Sequence, residues 1–356
     1  MRIAFITPEY VAGPKVPGGT ANSLGRTCAA LAAAGHEVAV FVPADAPGKL
    51  RHNGVDIHQV AVSHPLAPWI SRLTFRRLDQ LVQWLARSYY LNRAWGASHG
   101  ERPFDIIQYT SYGGVGFFRP RSVTSVMRAA GYQPLFQAAD RTPASLEKPL
   151  MNWMFKKAIR QADAVFCPSR CLAGIIEKEL TKPAAVIEPA FPPVVRTWPH
   201  LPAGEAPGGG TYLLTFGQLG LRKGVDIIAE IIRDVLARHD DLHWVFIGKD
   251  FRPYGRPLMD QVLEKSGPHR ARVHSLGSMS HDRLFPILEQ ARAVVLPSRI
   301  DNLPNTCLEA MALGRVVVGT RGASFDQLID DGESGFLCDI GSPESLRAAV
   351  ERALAL

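Results

Sequence analysis

Two carboxylates eight positions apart, Asp301 and Glu309, and two adjacent cations, Arg222 and Lys223, are the residues of this chain suited to chemistry on one shared ligand. Acids accept hydrogen bonds from the hydroxyls of a polyol, and cations hold a phosphate or diphosphate. Around the acids the chain reads PSRIDNLPNTCLEAMALGRVVVG, residues 297–319. The apolar run 293–296 predicts a buried parallel strand, ended by Pro297 and Ser298. A polar turn, 299–305, leads into a helix predicted over 306–313, which Gly314 stops in a left-handed cap position. The β-branched run 316–318 closes a strand–helix–strand unit. In open sheets of this kind ligands lie beyond the carboxyl ends of the strands, where Asp301 and the turn fall. The first N–H groups of the helix have no acceptor within it and face the same space. Glu309, one turn into the helix, is placed to reach a bound polyol; the same position also suits an acid that only complements the helix dipole.

The cations sit in GQLGLRKG, residues 217–224, between a strand predicted at 212–216 and a helix at 225–238. Two positive charges at a helix N-terminus are unfavourable unless an anion lies between them. A diphosphate meets that condition, with Lys223 as the point charge; a solvated surface pair is the alternative.

A chain of 356 residues with 46% hydrophobic content holds enough apolar surface for two cores and is no disordered segment. The N-terminus enters a strand directly, with no signal-peptide pattern. No apolar run reaches the roughly 20 residues that span a bilayer. Five cysteines without C-x-x-C spacing predict reduced, inert thiols, and the whole predicts a cytoplasmic protein. The net charge of +7 is uneven: residues 1–195 hold 22 basic against 13 acidic side chains, and the remainder 18 against 20. A basic first half suits an anionic partner, either a phosphorylated acceptor or a membrane surface. Adjacent acids at 240–241 and 330–331 read as solvated charge, and the histidines show no ligand spacing, so no metal site is predicted.

Both halves alternate strand and helix, which predicts parallel sheets covered on both faces. In the first half strands are predicted at 2–7, 36–43, 54–62, 105–109, 123–127, 164–167 and 184–187, with helices at 21–34 and 146–161. A Gly/Pro loop containing Gly18 and Gly19 precedes the first helix and permits close approach of a ligand, or only a turn. That loop lacks the tight glycine triplet of a dinucleotide site, which argues against a dehydrogenase. Residues 69–95 interleave aromatics with arginines at helical spacing. This suits a helix lying on an anionic membrane at its inner face, or a core-facing helix with snorkelling arginines. The Pro/Gly-rich stretch 191–210 reads as a linker between domains 1–190 and 211–356. In the second half strands are predicted at 212–216, 243–247, 272–275, 293–296, 316–318 and 335–338, and Ser342–Pro343 opens the last helix.

With these pieces in place the chain resembles the family 4 retaining glycosyltransferases of the GT-B fold. GGTANSLGRTCAALAAAGHEV, ADAVFCPS and FGQLGLRKG each carry part of the likeness. The most specific stretch is SRIDNLPNTCLEAMALGRVVV, which resembles the family's E-x7-E region. The resemblance implies an α/β architecture of two Rossmann-like domains with parallel sheets facing across a cleft. It implies transfer of a hexosyl group, with retention, from a UDP- or GDP-linked sugar to an acceptor hydroxyl. That acceptor would be a glycan, a lipid-linked group or a small molecule, as in the synthesis of cell-envelope polysaccharide, glycolipid or natural-product glycosides. No cofactor, metal or nucleic acid is implied. By the same likeness Glu309 takes the ribose hydroxyls and Asp301 the donor-sugar hydroxyls. Asn302, Leu303 and Pro304 line that sugar, Asn305 and Thr306 lie near the diphosphate, and Lys223 holds it. Gly18 and Gly19 match the glycine loop of the first domain.

Four departures stand out. Asp301 replaces the usual glutamate, and Gln218 replaces the usual arginine, leaving Arg222 as the compensating cation. Arg128 to Gly131 stand where a histidine is usual, and the chain stops before the family's final crossing helix. A non-catalytic nucleotide-sugar binding protein, or an epimerase or phosphorylase of the same architecture, is the rival expectation.

Overall fold

The computed structural model describes residues 1–10, 19–62, 69, 72–189, 191, 194–196, 198, 207 and 209–356, with only the backbone of 19, 20 and 254. The expectation for Gly18 and most of that for the linker lie outside these residues. The chain forms two compact units, Met1–Pro134 with Pro143–Pro189, and Leu135–Thr142 with Ala190–Leu356. A short piece of the first half thus packs with the second.

The first unit runs β1 (Arg2–Ile6), α1 (Gly19–Ala33), β2 (Glu37–Ala44), β3 (Gly48–His52), β4 (Val55–Ala61), α2 (Asp79–Glu101), β5 (Ile106–Thr110) and β6 (Ser125–Arg128). After α3 (Gln133–Ala139), which enters the second unit, come α4 (Lys148–Gln161), β7 (Ala164–Cys167), α5 (Arg170–Leu180) and β8 (Ala185–Val186). Among the described residues its sheet is ordered β3-β4-β2-β1-β5-β6-β7-β8. Pairing is parallel except for β3 with β4. The β3–β4 hairpin was not expected, although Asn53-Gly54 encodes it. Both residues take positive φ, 50° and 76°, as a two-residue hairpin turn requires.

Residues 69–95 do not form one helix. The chain turns at 74–78 and α2 starts at Asp79. Leu78, at the cap position, makes no side-chain cap. Instead Glu147, just before α4, accepts hydrogen bonds from Gln80 N (3.0 Å) and Leu81 N (3.1 Å). That carboxylate satisfies two orphan donors and complements the dipole from another element. Trp84, Leu91 and Trp95 of α2 are buried, whereas Trp69, Leu73, Phe75 and Tyr89 are exposed, so the segment is core-facing on one side only.

The second unit runs β9 (Tyr212–Phe216), α6 (Val225–Arg238), β10 (His243–Ile247), α7 (Leu258–Lys265), β11 (Val273–Ser275), α8 (His281–Gln290), β12 (Ala293–Val295), α9 (Asn305–Ala312), β13 (Val317–Thr320), β14 (Phe336–Cys338) and α10 (Pro343–Leu354). Its parallel sheet is ordered β11-β10-β9-β12-β13-β14. β9 is buried throughout because helices cover both faces. Alternate residues feed two cores: Leu213 packs with Trp244, Phe246 and Val295, while Leu214 and Phe216 pack with Val245, Ile247 and Val294. Thr215, the polar residue of the strand, donates to Val295 O (3.0 Å) and accepts from Trp244 Nε1 (3.1 Å). Of the linker stretch, Arg196 pairs with Glu289 of α8 (2.8 Å), and Trp198 lies edge-on to Phe285. That piece is anchored rather than loose. At α10 Ser342 caps through Ser345 N, as its position before Pro343 predicts.

Among the described residues no helix is long and apolar enough to cross a membrane, and no acidic, His or Cys group is arranged to hold a metal ion. None of the five cysteines is joined in a disulfide. Burial pushes those of Cys28 and Cys307 up to about 12 and those of Cys167 and Cys338 up to about 11. Cys171 alone is half-buried. Native protein titrated with a disulfide reagent near pH 8 should therefore react rapidly at Cys171 alone. The other four should be slower by roughly two orders of magnitude or more until denaturant is added, because the thiolate is the reactive form. Mass mapping of the fast-labelled peptide checks the assignment.

Candidate functional site

β9 and β12 are neighbours at the point where strand order reverses: β10 lies on one side of β9 and β12 on the other. Loops leaving such a pair diverge and open a crevice beyond the strand ends. The segment from Gly217 to Gly224 leaves β9, and that from Leu296 to Pro304 leaves β12, so both motifs of the sequence meet here. Gly224 is held at φ 75°, and a Cβ on it would overlap Pro297 O. Only glycine allows the two loops this close.

Arg299 fastens them. Its backbone N–H donates to Arg222 O (2.8 Å). Its guanidinium grips both oxygens of Asp226, in the first turn of α6, at 2.6 and 2.8 Å, and also donates to Leu221 O. The two side chains are only 19% and 14% exposed. A planar fork meeting a carboxylate with two parallel bonds fixes orientation as well as distance.

On this frame Lys223 Nζ forms an ion pair with Asp301 Oδ2. The same oxygen accepts from Ser298 Oγ (3.3 Å), and Oδ1 accepts from Asn302 N (2.9 Å). Ser324 Oγ donates to the Asp301 carbonyl (2.9 Å). Asp301 is therefore held from several directions, and the Asn302 amide, expected to face a sugar, is engaged by Asp301. Leu303 is buried at φ 52°, a left-handed conformation that costs a branched side chain about 1 kcal/mol. Its side chain in the core pins the turn. Pro304 precedes α9, and its carbonyl takes the N–H groups of Cys307 and Leu308 (3.0 and 3.3 Å). Those of Asn305 and Thr306 stand ahead of this ladder. Thr306 packs at Gly217, where an added Cβ would lie 3.2 Å from its methyl group. Glu309 follows one turn later, half-buried, with His281 Nε2 3.5 Å from its carboxylate.

Arg222 has separate partners. It pairs with Asp140 (3.5 Å), donates through its backbone N–H to the same carboxylate (3.3 Å), and stacks over Phe136 at 4.7 Å. Its Nη2 donates to Gln218 Oε1 (2.9 Å). Phe136 and Asp140 lie in Leu135–Thr142, the segment that joins this unit. The neighbouring cations thus each have their own carboxylate, Asp140 or Asp301. In the first unit Gly19 opens α1. Arg128, at the end of β6, donates to Ser23 Oγ (3.0 Å), and burial, then Arg26, lowers its pKa from the ordinary value.

The structure brings together Lys223, Asp301, Asn302, Leu303, Pro304, Asn305, Thr306 and Glu309 on the second unit. Sequence reasoning missed Arg299, Asp226, Ser298, Ser324, His281 and Asp140. The one available signal was Asp226, an acid in a first turn three positions after Lys223.

Two family profiles match the chain: "Glycosyl transferase 4-like domain" over residues 18–189 and "Glycosyl transferases group 1" over residues 210–355. An uncharacterized glycosyltransferase of Methanocaldococcus jannaschii is 24% identical over 199 residues, 56% of this chain and 52% of that protein. The match spans about half the length of that relative. Sucrose-phosphate synthase from Thermosynechococcus elongatus superimposes with a TM-score of 0.73 at 17% identity, covering 99% of this chain and 90% of its own. The trehalose-6-phosphate structure from E. coli bound with UDP-2-fluoro glucose gives 0.71 at 14% identity, covering 100% and 92%. At these identities the two structural likenesses are of fold.

Removing the fork of Arg299 strands the Asp226 carboxylate with little access to water. Arg299→Met should lower the unfolding free energy by about 2 kcal/mol, the range for losing hydrogen bonds to a charged group. The check is a urea midpoint shift at unchanged slope. In Arg299→Met/Asp226→Leu part of the loss should return, because no unpaired charge remains.

Proposed function

Because the chain belongs to the group 1 glycosyltransferases, of family 4 type and GT-B fold, we propose that it transfers a hexosyl group from a nucleoside diphosphate sugar to an acceptor hydroxyl with retention. The observation that supports this most is the Lys223–Asp301 ion pair at the strand-order reversal, with Glu309 one helical turn beyond. A cation and two acids in one crevice match the two chemistries of a sugar nucleotide, an anionic diphosphate and flanking polyols.

Donor binding is then an exchange of partners. Lys223 leaves Asp301 for the diphosphate, and Asp301 accepts hydrogen bonds from the hexose hydroxyls. Glu309 takes the ribose hydroxyls of a uridine or guanosine nucleotide. The N–H groups of Asn305 and Thr306 donate to the phosphate nearest the sugar. Asp301 is one methylene shorter than glutamate, so it reaches less far and favours a hexose whose hydroxyls approach the β12 loop closely.

In the chemical step the bond from the anomeric carbon to the phosphate oxygen breaks and negative charge grows on the diphosphate. Lys223 and the helix-entry amides oppose that charge. The acceptor hydroxyl adds on the face the diphosphate leaves. Its proton passes to the departing phosphate oxygen, so charge and atoms balance without a protein nucleophile. Arg222, fixed by Gln218, Asp140 and Phe136, supplies positive potential behind Lys223. The acceptor, a glycan, a lipid-linked group or a small molecule, engages the basic first half.

Two variants separate the roles. Glu309→Ala should weaken nucleotide-sugar affinity by about 1.5–3 kcal/mol in calorimetry; unchanged affinity in a folded variant removes the ribose assignment. Lys223→Ala should lower kcat by more than it weakens donor binding, because its partner gains charge in the transition state. Equal losses would make it a binding group only. Tight donor binding with no transfer to any acceptor of a broad panel would favour the non-catalytic reading. NMR of the product glycoside reads the anomeric configuration directly.

A further inference from the structure

The helix α4 is apolar on two sides. Met151, Met154, Phe155, Ala158 and Ile159 face the core. Leu150 and Trp153, three positions apart, lie on another side and stay 48% and 54% exposed, and Leu146, two residues before the helix, stays 66% exposed. A helix that packs on one core needs one apolar stripe, not two.

This second stripe continues onto neighbouring elements. Trp153 meets the Phe117 ring at 5.4 Å, Phe117 meets Phe118 at 5.0 Å, and Phe118 meets Tyr89 of α2 at 6.2 Å. At the other end a surface pocket places Arg76 and Arg77 beside Leu146. Next to them Phe75 is 85% exposed. Phe75 and Arg76 both hold positive φ, 47° and 61°, where glycine is the unstrained choice. A soluble monomer rarely leaves so many large apolar side chains contiguous and exposed.

The charge around the stripe says what covers it. Residues 72–93 contain five arginines and one aspartate, and residues 143–160 contain Lys148, Lys156, Lys157 and Arg160 against Glu147. Glu147 is already engaged at the N-terminus of α2, and Asp79 pairs with Arg76 at 3.2 Å. Lys157 stands over both Phe117 and Trp153, at 4.9 Å from each ring. Aromatic rings and leucines flanked by cations, with few free acids, complement an anionic lipid surface, where rings enter the headgroup layer and cations meet phosphate.

We propose that this face of the first unit, Leu146–Trp153 with Phe75 and Phe118, docks on an anionic bilayer. Phe117 and Phe118 lie in the crossover from β5 to β6, with Phe117 packed against Trp153 and Lys157 of α4. The inference rests on the surface alone and does not need the transferase reading.

The test is co-sedimentation of the full chain with vesicles of phosphatidylcholine, alone or mixed with phosphatidylglycerol. Binding is expected to the anionic vesicles only and should weaken as salt is raised. Leu150→Ser/Trp153→Ser should reduce it at least tenfold, and Arg77→Glu and Lys157→Glu each by about fivefold or more. These side chains lie at the surface, so the melting temperature should not move, and donor affinity should stay unchanged. Quenching of tryptophan fluorescence by brominated lipid should fall in Trp153→Phe. Equal binding to neutral vesicles, no binding to either, or binding indifferent to the double substitution would each overturn the proposal. So would a concentration-dependent dimer dissolved by that substitution, which would make a second copy of the chain the occupant.

Discussion

Arg299 turns two loops into one object. The strands that carry them run side by side, but their connections leave in opposite directions across the sheet, and nothing in strand pairing holds the loops together beyond the last register position. Arg299 bridges the gap with its main chain on Arg222 and its side chain on Asp226 and Leu221. A lysine could supply the charge but not two parallel bonds in a fixed plane. The placement of Lys223 against Asp301 follows from this brace together with the missing Cβ of Gly224.

Charge in the site is balanced group by group. Lys223 has Asp301, Arg222 has Asp140, and Arg299 has Asp226. These pairs differ in kind. Asp226 is gripped on both oxygens and serves the frame, whereas Asp301 is also steadied by Ser298 and Asn302, so its place does not depend on the cation alone. A site assembled this way does not strand a bare ammonium in a partly dry crevice before substrate arrives. That matters because an unpaired charge away from water costs several kcal/mol.

Much of this was legible beforehand because it is local. The apolar run 293–296, the stop at Gly314 and the Ser342–Pro343 helix start are short-range signals, and the structure carries strands or caps at each. That Lys223 and Asp301 lie at the carboxyl ends of strands was legible; their direct ion pair was not, because it depends on β9 and β12 being neighbours. Arg299 was not, since an arginine in a polar turn looks like any solvated cation until its partner 73 positions away is placed beside it. The start of α2 was blurred for a similar reason, because its cap comes from Glu147, 67 residues from Gln80. The second stripe of α4 hid inside a helix whose apolar content already seemed accounted for by the core. The hairpin at Asn53-Gly54 is a different matter, for its signal was present and passed over.

The crossing of Leu135–Thr142 into the second unit has a consequence for anyone who would divide the chain. The halves suggested by the Pro/Gly-rich stretch are not separable modules. A fragment starting at Ala190 lacks the ring beneath Arg222 and the acid beside it, and the complementary fragment carries that octapeptide with its own surroundings removed. With two polypeptides split there and co-expressed, the Arg222 guanidinium would regain its seat only when Leu135–Thr142 packs with the second fragment.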